Sequence, residues 1–195
     1  MLFPHELPDA DVQHLPGWLA AADADGLLSA LQADVAWEIH RIRMFGSWVD
    51  SPRLSCWIGD LQARYRYSGA EFVPHPWPPA LQAMRERLQA EGFGRFNSVL
   101  LNRYRGGGDY MGWHSDDEPE LGPMPVIASL SLGAARRFLL RRRDGPTRKA
   151  EYLLGHGDLL VMAGQTQRFY QHALPKMARA QGERINLTFR WITPR

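Results

Sequence analysis

The second half of the chain is a series of short apolar runs, and this pattern most narrows the folds that the sequence can adopt. From Phe96 onward the runs are SVLLNRY, PVIASLSL, RRFLLRR, DLLVMA and RINLTFRWI. Glycine, proline or charged turns separate most of them, which is typical of antiparallel strands. Two helical segments come before the strands. We therefore expect an α+β fold, a β-sandwich, barrel or jelly roll with helices on one side.

The two helical segments are residues 26–33 (GLLSALQA) and 78–91 (PPALQAMRERLQAE). Asp23 and Asp25 precede the first segment and are candidate N-caps. The second opens with prolines, which suit a first helical turn, and it stops at Gly92. Its apolar residues recur at helical spacing, so this helix is expected to pack one stripe on the sheet. The stripe consists of Leu81, Met84 and Leu88.

Length and composition indicate one globular domain. The chain has 195 residues, of which 45% are hydrophobic and 23% charged. It has one cysteine, which excludes an internal disulfide and fits a reducing compartment. No apolar stretch is long enough to span a membrane, and the N-terminal residues lack the pattern of a signal peptide. We expect a cytoplasmic monomer, nucleoid-associated if the protein is bacterial.

Basic residues concentrate in one segment, 136–149, although the formal net charge of the chain is only +2. This segment contains six arginines and one lysine, which are Arg136, Arg137, Arg141, Arg142, Arg143, Arg148 and Lys149. A basic surface attracts nucleic-acid phosphates. A charged hairpin edge that blocks aggregation gives the same pattern, and the charges alone favour it slightly.

The last apolar run alternates a polar face with an apolar face. Side chains of an extended chain point to opposite sides in turn. Ile185, Leu187 and Phe189 therefore belong to one face, and the opposite face is polar. The polar residues are Arg184, Asn186, Thr188 and Arg190. Such a face is either exposed to solvent or able to bind a small anion, because arginine matches a carboxylate in bidentate fashion.

The same alternation in VLLNRYR puts Asn102 and Tyr104 on one face. Their amide and phenol groups could bind the same anion as the arginines. These two side chains alone are weak support for a site.

The stretch GWHSDDEPE contains the chain's clearest metal-binding pattern. His114 and Asp116 are two residues apart, so both point the same way in an extended segment. With a second histidine they would form a two-histidine, one-carboxylate face that leaves coordination positions open, as in non-haem Fe(II) oxygenases. A solvated acidic loop is the alternative. The candidate third ligands are His75, His156 and His172, and spacing does not choose among them.

Taken together, these motifs resemble the AlkB family of Fe(II)- and 2-oxoglutarate-dependent dioxygenases. The order is N-x-Y, H-x-D-D-E, I-A-S-x-S-x-G, a lone histidine, and R-I-N-L-T-F-R. The likeness covers about residues 45 to 190 and is closest to the DNA-repair subgroup, because MFGSW and RYRYSG match it too. It implies a double-stranded β-helix (jelly roll) core at about 96–195 and a nucleotide-recognition lid at about 40–75. Both would belong to a single domain over residues 1–195.

The resemblance also assigns roles within the site. It makes His114, Asp116 and His172 the iron ligands. The implied 2-oxoglutarate site consists of Asn102, Tyr104, Arg184, Asn186, Thr188 and Arg190. In the family one arginine, here Arg184, pairs with the distal carboxylate beside the tyrosine.

The implied substrate contacts are five residues outside those two groups. Asp117 and Glu118 would face a cationic methylated base, while we leave Glu120 to solvent. Tyr65 and Tyr67 would stack on an extruded base, although a core or edge-strand aromatic pair gives the same alternation. Phe45 would fill the gap that this base leaves. Trp57 stands where a tyrosine is expected, which concerns fine substrate preference.

The implied activity is oxidative demethylation of 1-methyladenine and 3-methylcytosine in DNA, with release of formaldehyde. Fe(II) is the implied cofactor, with 2-oxoglutarate and O2 as co-substrates. The paired tyrosines and the basic segment favour a polynucleotide substrate. The alternatives are a related dioxygenase acting on RNA or another substrate, and a non-catalytic module that binds damaged DNA. A zinc hydrolase gives no reason for the two arginines of the last strand.

Overall fold

The structure is a computed structural model that describes residues 7–44, 47–67, 70–144 and 149–193. At residues 42–44, 47–48, 65–67 and 70–72 it describes the backbone alone. The elements follow in chain order: β1 (Asp11–Leu15), α1 (Ala21–Asp34), β2 (Arg41–Met44), β3 (Ser47–Asp50), β4 (Leu54–Gly59), β5 (Tyr65–Tyr67), β6 (Ala70–Phe72), α2 (Pro79–Ala90), β7 (Ser98–Tyr104), β8 (Met111–His114), β9 (Ile127–Gly133), β10 (Arg136–Arg142), β11 (Lys149–Leu154), β12 (Leu159–Ala163), α3 (Thr166–Phe169), β13 (Tyr170–Leu174) and β14 (Arg184–Arg190).

Two antiparallel sheets make up the core of the fold. The larger sheet has the strand order β1-β12-β9-β14-β7-β4, and the smaller has the order β11-β10-β13-β8. Strands β7 to β14 alternate between the two sheets in the manner of a jelly roll, except that β10 and β11 form a hairpin within the smaller sheet. The predicted α+β fold with a jelly-roll core is therefore confirmed.

Two strands from the first part of the chain widen the larger sheet. β1 pairs with β12 at one edge, and β4 pairs with β7 at the other. The eight strands from β7 to β14 all lie within the segment that the sequence predicts as the jelly-roll core. The hairpins β2–β3 and β5–β6 form separate two-stranded sheets, and they come before and after β4 in the sequence.

The main hydrophobic core lies between the larger sheet and the helices α1 and α2. Ile185, Leu187 and Phe189 of β14 contribute to it and are fully buried, as the alternation predicts. Burying each such side chain stabilises the fold by roughly 1.5–3 kcal/mol. The other face of β14 therefore points into the space between the two sheets.

Helix α1 begins five residues before the predicted start, at Ala21 rather than Gly26. Its N-cap position is Ala20, and no side chain caps it, so the prediction of Asp23 or Asp25 as the cap is wrong. The alanine-rich residues before Gly26 have high helix propensity and extend the helix backward. Asp23 instead lies in the first turn, where a negative charge is favourable beside the helix dipole.

Helix α2 agrees with the prediction to within one residue at each end. Leu81, Met84 and Leu88 form its buried stripe. Within the described ranges, no helix combines the length and apolar character needed to cross a membrane.

A second apolar cluster fills part of the space between the two sheets. Ile127 and Leu160 of the larger sheet pack there with Phe138 and Leu140 of the smaller one. Beside this cluster the facing side chains become polar and surround an open cavity.

Candidate functional site

The cavity between the sheets has a volume of about 440 Å³, counting its solvent-filled mouth. All nine residues that the sequence predicts as metal or co-substrate ligands line it. They are Asn102, Tyr104, His114, Asp116, His172, Arg184, Asn186, Thr188 and Arg190. Apolar side chains complete the wall, namely Met111, Phe138, Met162 and Leu174.

The strand β14 places four polar residues in one row because it lies in the middle of the larger sheet. On one side Arg184 pairs with Tyr104, and Asn186 pairs with Asn102. On its other side β14 pairs with β9, which carries two serines that point the same way. All four polar residues of β14 are less than 9% exposed, so this face is not an ordinary solvent face.

A chain of hydrogen bonds fixes the polar row. The Nη2 of Arg184 donates to Ser131 Oγ at 2.9 Å and to Asn186 Oδ1 at 2.7 Å. Asn186 Nδ2 donates to Thr188 Oγ1 at 2.9 Å. Ser129 Oγ donates to Asn186 Oδ1 at 3.1 Å. Each side chain is thereby held in one orientation before any ligand binds.

Arg184 remains a buried cation with unused donors. Its Nε and Nη1 are buried and have no hydrogen-bond partner among the described residues. Burial lowers the pKa of Arg184 to about 10, with Tyr104 acting in the opposite sense, so the guanidinium stays charged at neutral pH. A buried charge without a counter-ion is costly, and an anionic ligand would supply one.

At the other end of the cavity, His114, Asp116 and His172 converge. Strands β8 and β13 are paired so that His172 faces His114, and the two ring centroids are 4.1 Å apart. One potential ligand atom from each of the three residues lies within 4.8 Å of the other two. Across the described ranges this is the one such group of histidine and acidic side chains. His75 and His156 lie outside it.

Each of the three side chains is oriented by a neighbour. His114 Nδ1 lies 2.9 Å from the carbonyl oxygen of Gly112, so Nδ1 carries the proton and the lone pair of Nε2 is left for a metal. That Nε2 is 3.9 Å from Asp116 Oδ1. The ring of His172 stacks on Phe138 with 5.4 Å between centroids.

Asp116 stays ionised although it is buried. Burial raises the pKa of its carboxyl group, but the positive charge of Arg190, together with smaller effects of the two histidines and of the hydrogen bond from Arg190, outweighs burial and lowers the pKa. Arg190 Nη2 donates to Asp116 Oδ2 at 2.8 Å. The backbone N–H of Asp116 donates to Gln167 Oε1 at 3.0 Å, which fixes the loop.

His172 is neutral at physiological pH. Burial, with a smaller contribution from His114, lowers the pKa of His172 to about 3. A neutral imidazole is the form that binds a metal. Two imidazoles and one carboxylate, beside a cavity that leaves further positions open, fit Fe(II). The unused donors of Arg184 fit the far carboxylate of 2-oxoglutarate.

The other histidines have local structural contacts. His156 Nδ1 accepts the backbone N–H of Gly133 at 2.8 Å, and its Nε2 is 3.2 Å from Asp25 Oδ1. His75 forms an isolated backbone bridge with Ile58 and is exposed.

Of the five predicted base contacts, two have described side chains. Asp117 is exposed, and its Oδ2 accepts a hydrogen bond from Arg143 Nη1 at 2.6 Å. Glu118 is half-buried at the start of a short 3-10 turn. Tyr65 and Tyr67 form strand β5, but their side chains lie outside the described part of the chain. Phe45 lies outside the described residues.

Two further expectations change once the fold is known. Glu120 was expected in solvent but is buried in the 3-10 turn Pro119–Leu121, where its backbone carbonyl accepts the N–H of Thr193 at 2.9 Å. Trp57 is 5% exposed and donates its indole N–H to the carbonyl of Ala63 at 3.1 Å, so it belongs to the core.

The arginines of the basic segment are largely bound within the fold. Arg137 pairs with Glu151, and Arg142 pairs with Asp9 and Asp144. Arg141 lies over the ring of Trp113 and donates to Gln171. Arg136 is fully buried. Among its described residues, the segment therefore corresponds more closely to a paired hairpin edge than to an open phosphate-binding surface.

Reasoning from the sequence missed four residues that support the site. Ser129 and Ser131 orient the polar row, Gln167 holds the Asp116 backbone, and Arg53 Nε donates to Asn102 Oδ1 at 2.7 Å. The serines had a usable signal, because S-x-S in a strand puts both hydroxyls on one face. Gln167 and Arg53 are far from their partners in the sequence and had none.

Comparison with known proteins places this site in a family. Residues 11–190 match the 2OG-Fe(II) oxygenase superfamily. The chain is 39% identical over 188 residues to the alpha-ketoglutarate-dependent dioxygenase alkB homolog 3 of Homo sapiens, covering 92% of this chain and 65% of that protein. It is 39% identical over 183 residues to the DNA oxidative demethylase ALKBH2 of Mus musculus, covering 89% of this chain and 77% of that protein.

A solved structure, that of OsALKBH1, has the same fold with a TM-score of 0.60. It is 17% identical, and the superposition covers 93% of this chain and 97% of the other. The chain spans slightly less than two thirds of the length of the alkB homolog 3 proteins. On the family match and the ALKBH2 identity, the chain belongs to the 2OG-Fe(II) oxygenase superfamily and, within it, to the AlkB family.

Proposed function

We propose that this chain is an Fe(II)- and 2-oxoglutarate-dependent dioxygenase that removes methyl groups from N-alkylated bases in DNA. One observation supports the dioxygenase chemistry above all others. A metal-binding group, His114, Asp116 and His172, lines one cavity together with Arg184, whose unused donors call for an anion. A zinc hydrolase would need the metal-binding group alone.

The three metal-binding residues would hold Fe(II) in this proposal. With 2-oxoglutarate also bound, the iron would allow O2 to oxidise the substrate methyl group, while 2-oxoglutarate is converted to succinate and carbon dioxide. The chain keeps both imidazoles available as ligands, since Gly112 fixes the proton of His114 and burial keeps His172 neutral. Arg190 keeps Asp116 ionised and orients its second oxygen toward His114.

The polar row of β14 and its neighbours would bind 2-oxoglutarate. Arg184 would receive the distal carboxylate beside Tyr104, because its Nε and Nη1 have no partner among the described residues. Asn102 would contribute its amide, and Arg190 lies nearer the metal-binding group. Asn186 and Thr188 would hold the arginine in place through the hydrogen-bonded row.

The substrate we propose is DNA carrying 1-methyladenine or 3-methylcytosine. Methylation at these ring nitrogens leaves the base positively charged, and Asp117 and Glu118 would stabilise that charge. Tyr65, Tyr67 and Phe45 would contact the extruded base and its gap. The DNA oxidative demethylase ALKBH2 proteins, 38–39% identical to this chain, support DNA as the polynucleotide.

We also propose that residues 40–75 are the nucleotide-recognition lid of a single domain whose jelly-roll core is 96–195. The two small hairpins β2–β3 and β5–β6 support this, because they lie in that segment and outside both main sheets. A monomer in the cytoplasm, associated with the nucleoid if the source is bacterial, is the arrangement we propose for the whole protein.

Anaerobic reconstitution tests the activity. The protein is loaded with Fe(II) and 2-oxoglutarate, air is admitted, and DNA oligonucleotides carrying 1-methyladenine or 3-methylcytosine are followed by mass spectrometry. We expect loss of one methyl group per lesion, with succinate and formaldehyde formed in equal amounts. Binding of the oligonucleotide without succinate would identify a damage-binding module instead. Faster turnover of matched RNA in competition would identify RNA as the substrate.

A further inference from the structure

Arg136 is a second fully buried arginine close to the co-substrate end of the cavity. It is 1% exposed and, with Arg184, is among the largest fully buried side chains of the described residues. Its Nη1 donates to the carbonyl of Gly106 at 3.1 Å. Its Nη2 donates to the carbonyls of Asp109 and Pro175, each at 2.8 Å. The side chain therefore binds three backbone oxygens from two separate loops.

No carboxylate of the described residues forms an ion pair with Arg136. All three acceptors are neutral carbonyl groups. The nearby carboxylate of Asp109 is bound by Arg105 instead, at 2.8 Å and 3.0 Å. A carbonyl satisfies a donor without neutralising its charge, so the buried charge of Arg136 keeps most of its electrostatic effect.

Tyr104 is close to both this arginine and Arg184. The Cζ of Arg136 is 5.7 Å from the centroid of the Tyr104 ring, and the Cζ of Arg184 is 5.4 Å from the same centroid. Tyr104 and Arg184 line the cavity, whereas Arg136 does not. Two buried positive charges thus lie near the same end of the cavity, Arg184 in its wall and Arg136 beside the tyrosine but outside the wall.

We propose that Arg136 is a positioning residue for the dicarboxylate co-substrate. It holds Tyr104 against Arg184 and adds a second positive charge that increases the affinity of the cavity for the distal carboxylate of 2-oxoglutarate. Charge interactions in a buried site fall off only slowly with distance, so contact with the ligand is not required. The inference rests on the co-substrate part of the proposed function and is independent of the nucleic-acid substrate.

A purely structural role makes a different prediction. If Arg136 only connects the loop at 105–110 to the segment at Pro175, its loss should weaken the binding of every ligand of the cavity equally. If its charge acts on the distal carboxylate, its loss should weaken the binding only of ligands that carry this group. The 2-oxo acid 2-oxopentanoate has the same five-carbon chain as 2-oxoglutarate, with a methyl group in place of the distal carboxylate.

The experiment measures the dissociation constants of 2-oxoglutarate and 2-oxopentanoate by isothermal titration calorimetry. Full-length protein is loaded with Mn(II), so that binding is measured without turnover. We expect Arg136→Gln to weaken the binding of 2-oxoglutarate about tenfold and that of 2-oxopentanoate less than about twofold. Arg136→Lys keeps the charge, so it should preserve the ratio of the two affinities. Arg137→Gln removes the exposed neighbour on the same strand and should leave both affinities unchanged.

The proposal would be overturned if Arg136→Gln weakened the binding of both ligands equally. It would also be overturned if the ratio of the affinities for 2-oxoglutarate and 2-oxopentanoate were as low in Arg136→Lys as in Arg136→Gln. Circular dichroism checks that each variant is folded. Should Arg136→Gln not fold, Arg136→Lys decides, because a preserved ratio supports the charge effect and a collapsed ratio overturns it. Failure of the unmodified protein to bind 2-oxoglutarate would instead contradict the proposed function. Inactivity on methylated DNA would leave the inference on Arg136 intact.

Discussion

The two oxygens of Asp116 have separate tasks. Oδ2 accepts the hydrogen bond from Arg190, while Oδ1 faces the Nε2 of His114. The arginine thus keeps the carboxylate charged and leaves one oxygen for a metal. Its neighbour Asp117 is exposed and points to a different partner, Arg143. Adjacent acids in one loop therefore differ in role because they differ in burial.

Replacing Asp116 by Asn should remove metal binding and turnover together. The variant loses a charged ligand and the buried ion pair that Asp116 forms with Arg190. We expect Mn(II) affinity to fall by more than about 100-fold and the free energy of unfolding to fall by about 3–5 kcal/mol. Calorimetric titration and urea unfolding measure the two effects. Asp117→Asn is the matched control for metal affinity, which it should leave unchanged.

Arg143 should influence the choice between cationic and neutral lesions. In the absence of substrate it neutralises Asp117 through a partly exposed ion pair of 2.6 Å. We expect Arg143→Gln to raise kcat/KM for 1-methyladenine relative to neutral 3-methylthymine by about threefold, the scale of an exposed ion pair. Parallel assays on matched oligonucleotides give this ratio, with Arg137→Gln as the control. A ratio equal to that of the unmodified protein would argue against Asp117 as a base contact.

At the scale of elements, the central position of β14 explains why one strand serves both the core and the site. It is paired on both sides, by β7 and by β9, so its backbone is fixed along its whole length. One face then packs against α1 and α2, and the other presents a rigid polar row to the cavity. The neighbouring strand β9 supplies the serines that complete the row.

Ser131→Ala tests the support that β9 gives to this row. The substitution removes one of the two acceptors of Arg184 Nη2. Hydrogen bonds to charged groups contribute about 1.5–3 kcal/mol, so we expect KM for 2-oxoglutarate to rise by roughly tenfold or more. KM for the methylated oligonucleotide should stay constant. Ser98→Ala is the matched control, because Ser98 is equally buried but does not line the cavity, and its hydroxyl bonds to the backbone carbonyl of Arg190 rather than to a side chain of the polar row.

For the molecule as a whole, Asp158 joins the N-terminal segment to the edge of the larger sheet. It accepts the backbone N–H groups of Gly17 and Gly155, each at 2.8 Å, and lies 3.2 Å from His14 Nε2. Burial raises the pKa of Asp158, but these hydrogen bonds outweigh it and lower the pKa. The carboxylate therefore stabilises the folded chain more than the unfolded one.

This coupling predicts a defined dependence of stability on pH. Because the pKa of Asp158 is lower in the folded chain, the unfolded chain binds the proton more readily, and the contribution of Asp158 is lost as pH falls. It is complete above the unfolded value of about 3.9 and disappears below it. Urea unfolding between pH 7 and pH 3 should show the unmodified protein more stable than Asp158→Asn at pH 7. The difference in the free energy of unfolding between the two proteins should shrink toward pH 3. A difference that stays constant would contradict the lowered pKa of Asp158 in the folded chain.

The sequence predicted the elements whose signal is local. The stripe of Leu81, Met84 and Leu88 gave α2, and the alternation in RINLTFR gave a polar and an apolar face. The start of α1 was predicted wrongly although the alanine-rich residues before Gly26 carry a local helix signal. The environment of Glu120 was predicted wrongly because it depends on contact with a segment far away in the sequence. The base contacts Tyr65, Tyr67 and Phe45 stay predictions.

By itself the sequence determined which residues are extended or helical and which side chains share a face, since periodicity follows from backbone geometry alone. The order of its motifs also determined the family. Spacing did not choose among His75, His156 and His172; the family resemblance predicted His172, and the tertiary structure shows how strand pairing brings it to His114 and Asp116. Only the tertiary structure decided that Arg136 is buried beside Tyr104 while Arg137 pairs at the surface. The physical reason is that these side-chain contacts depend on strand pairing between segments far apart in the chain, and the spacing of residues along the sequence carries no information about such contacts.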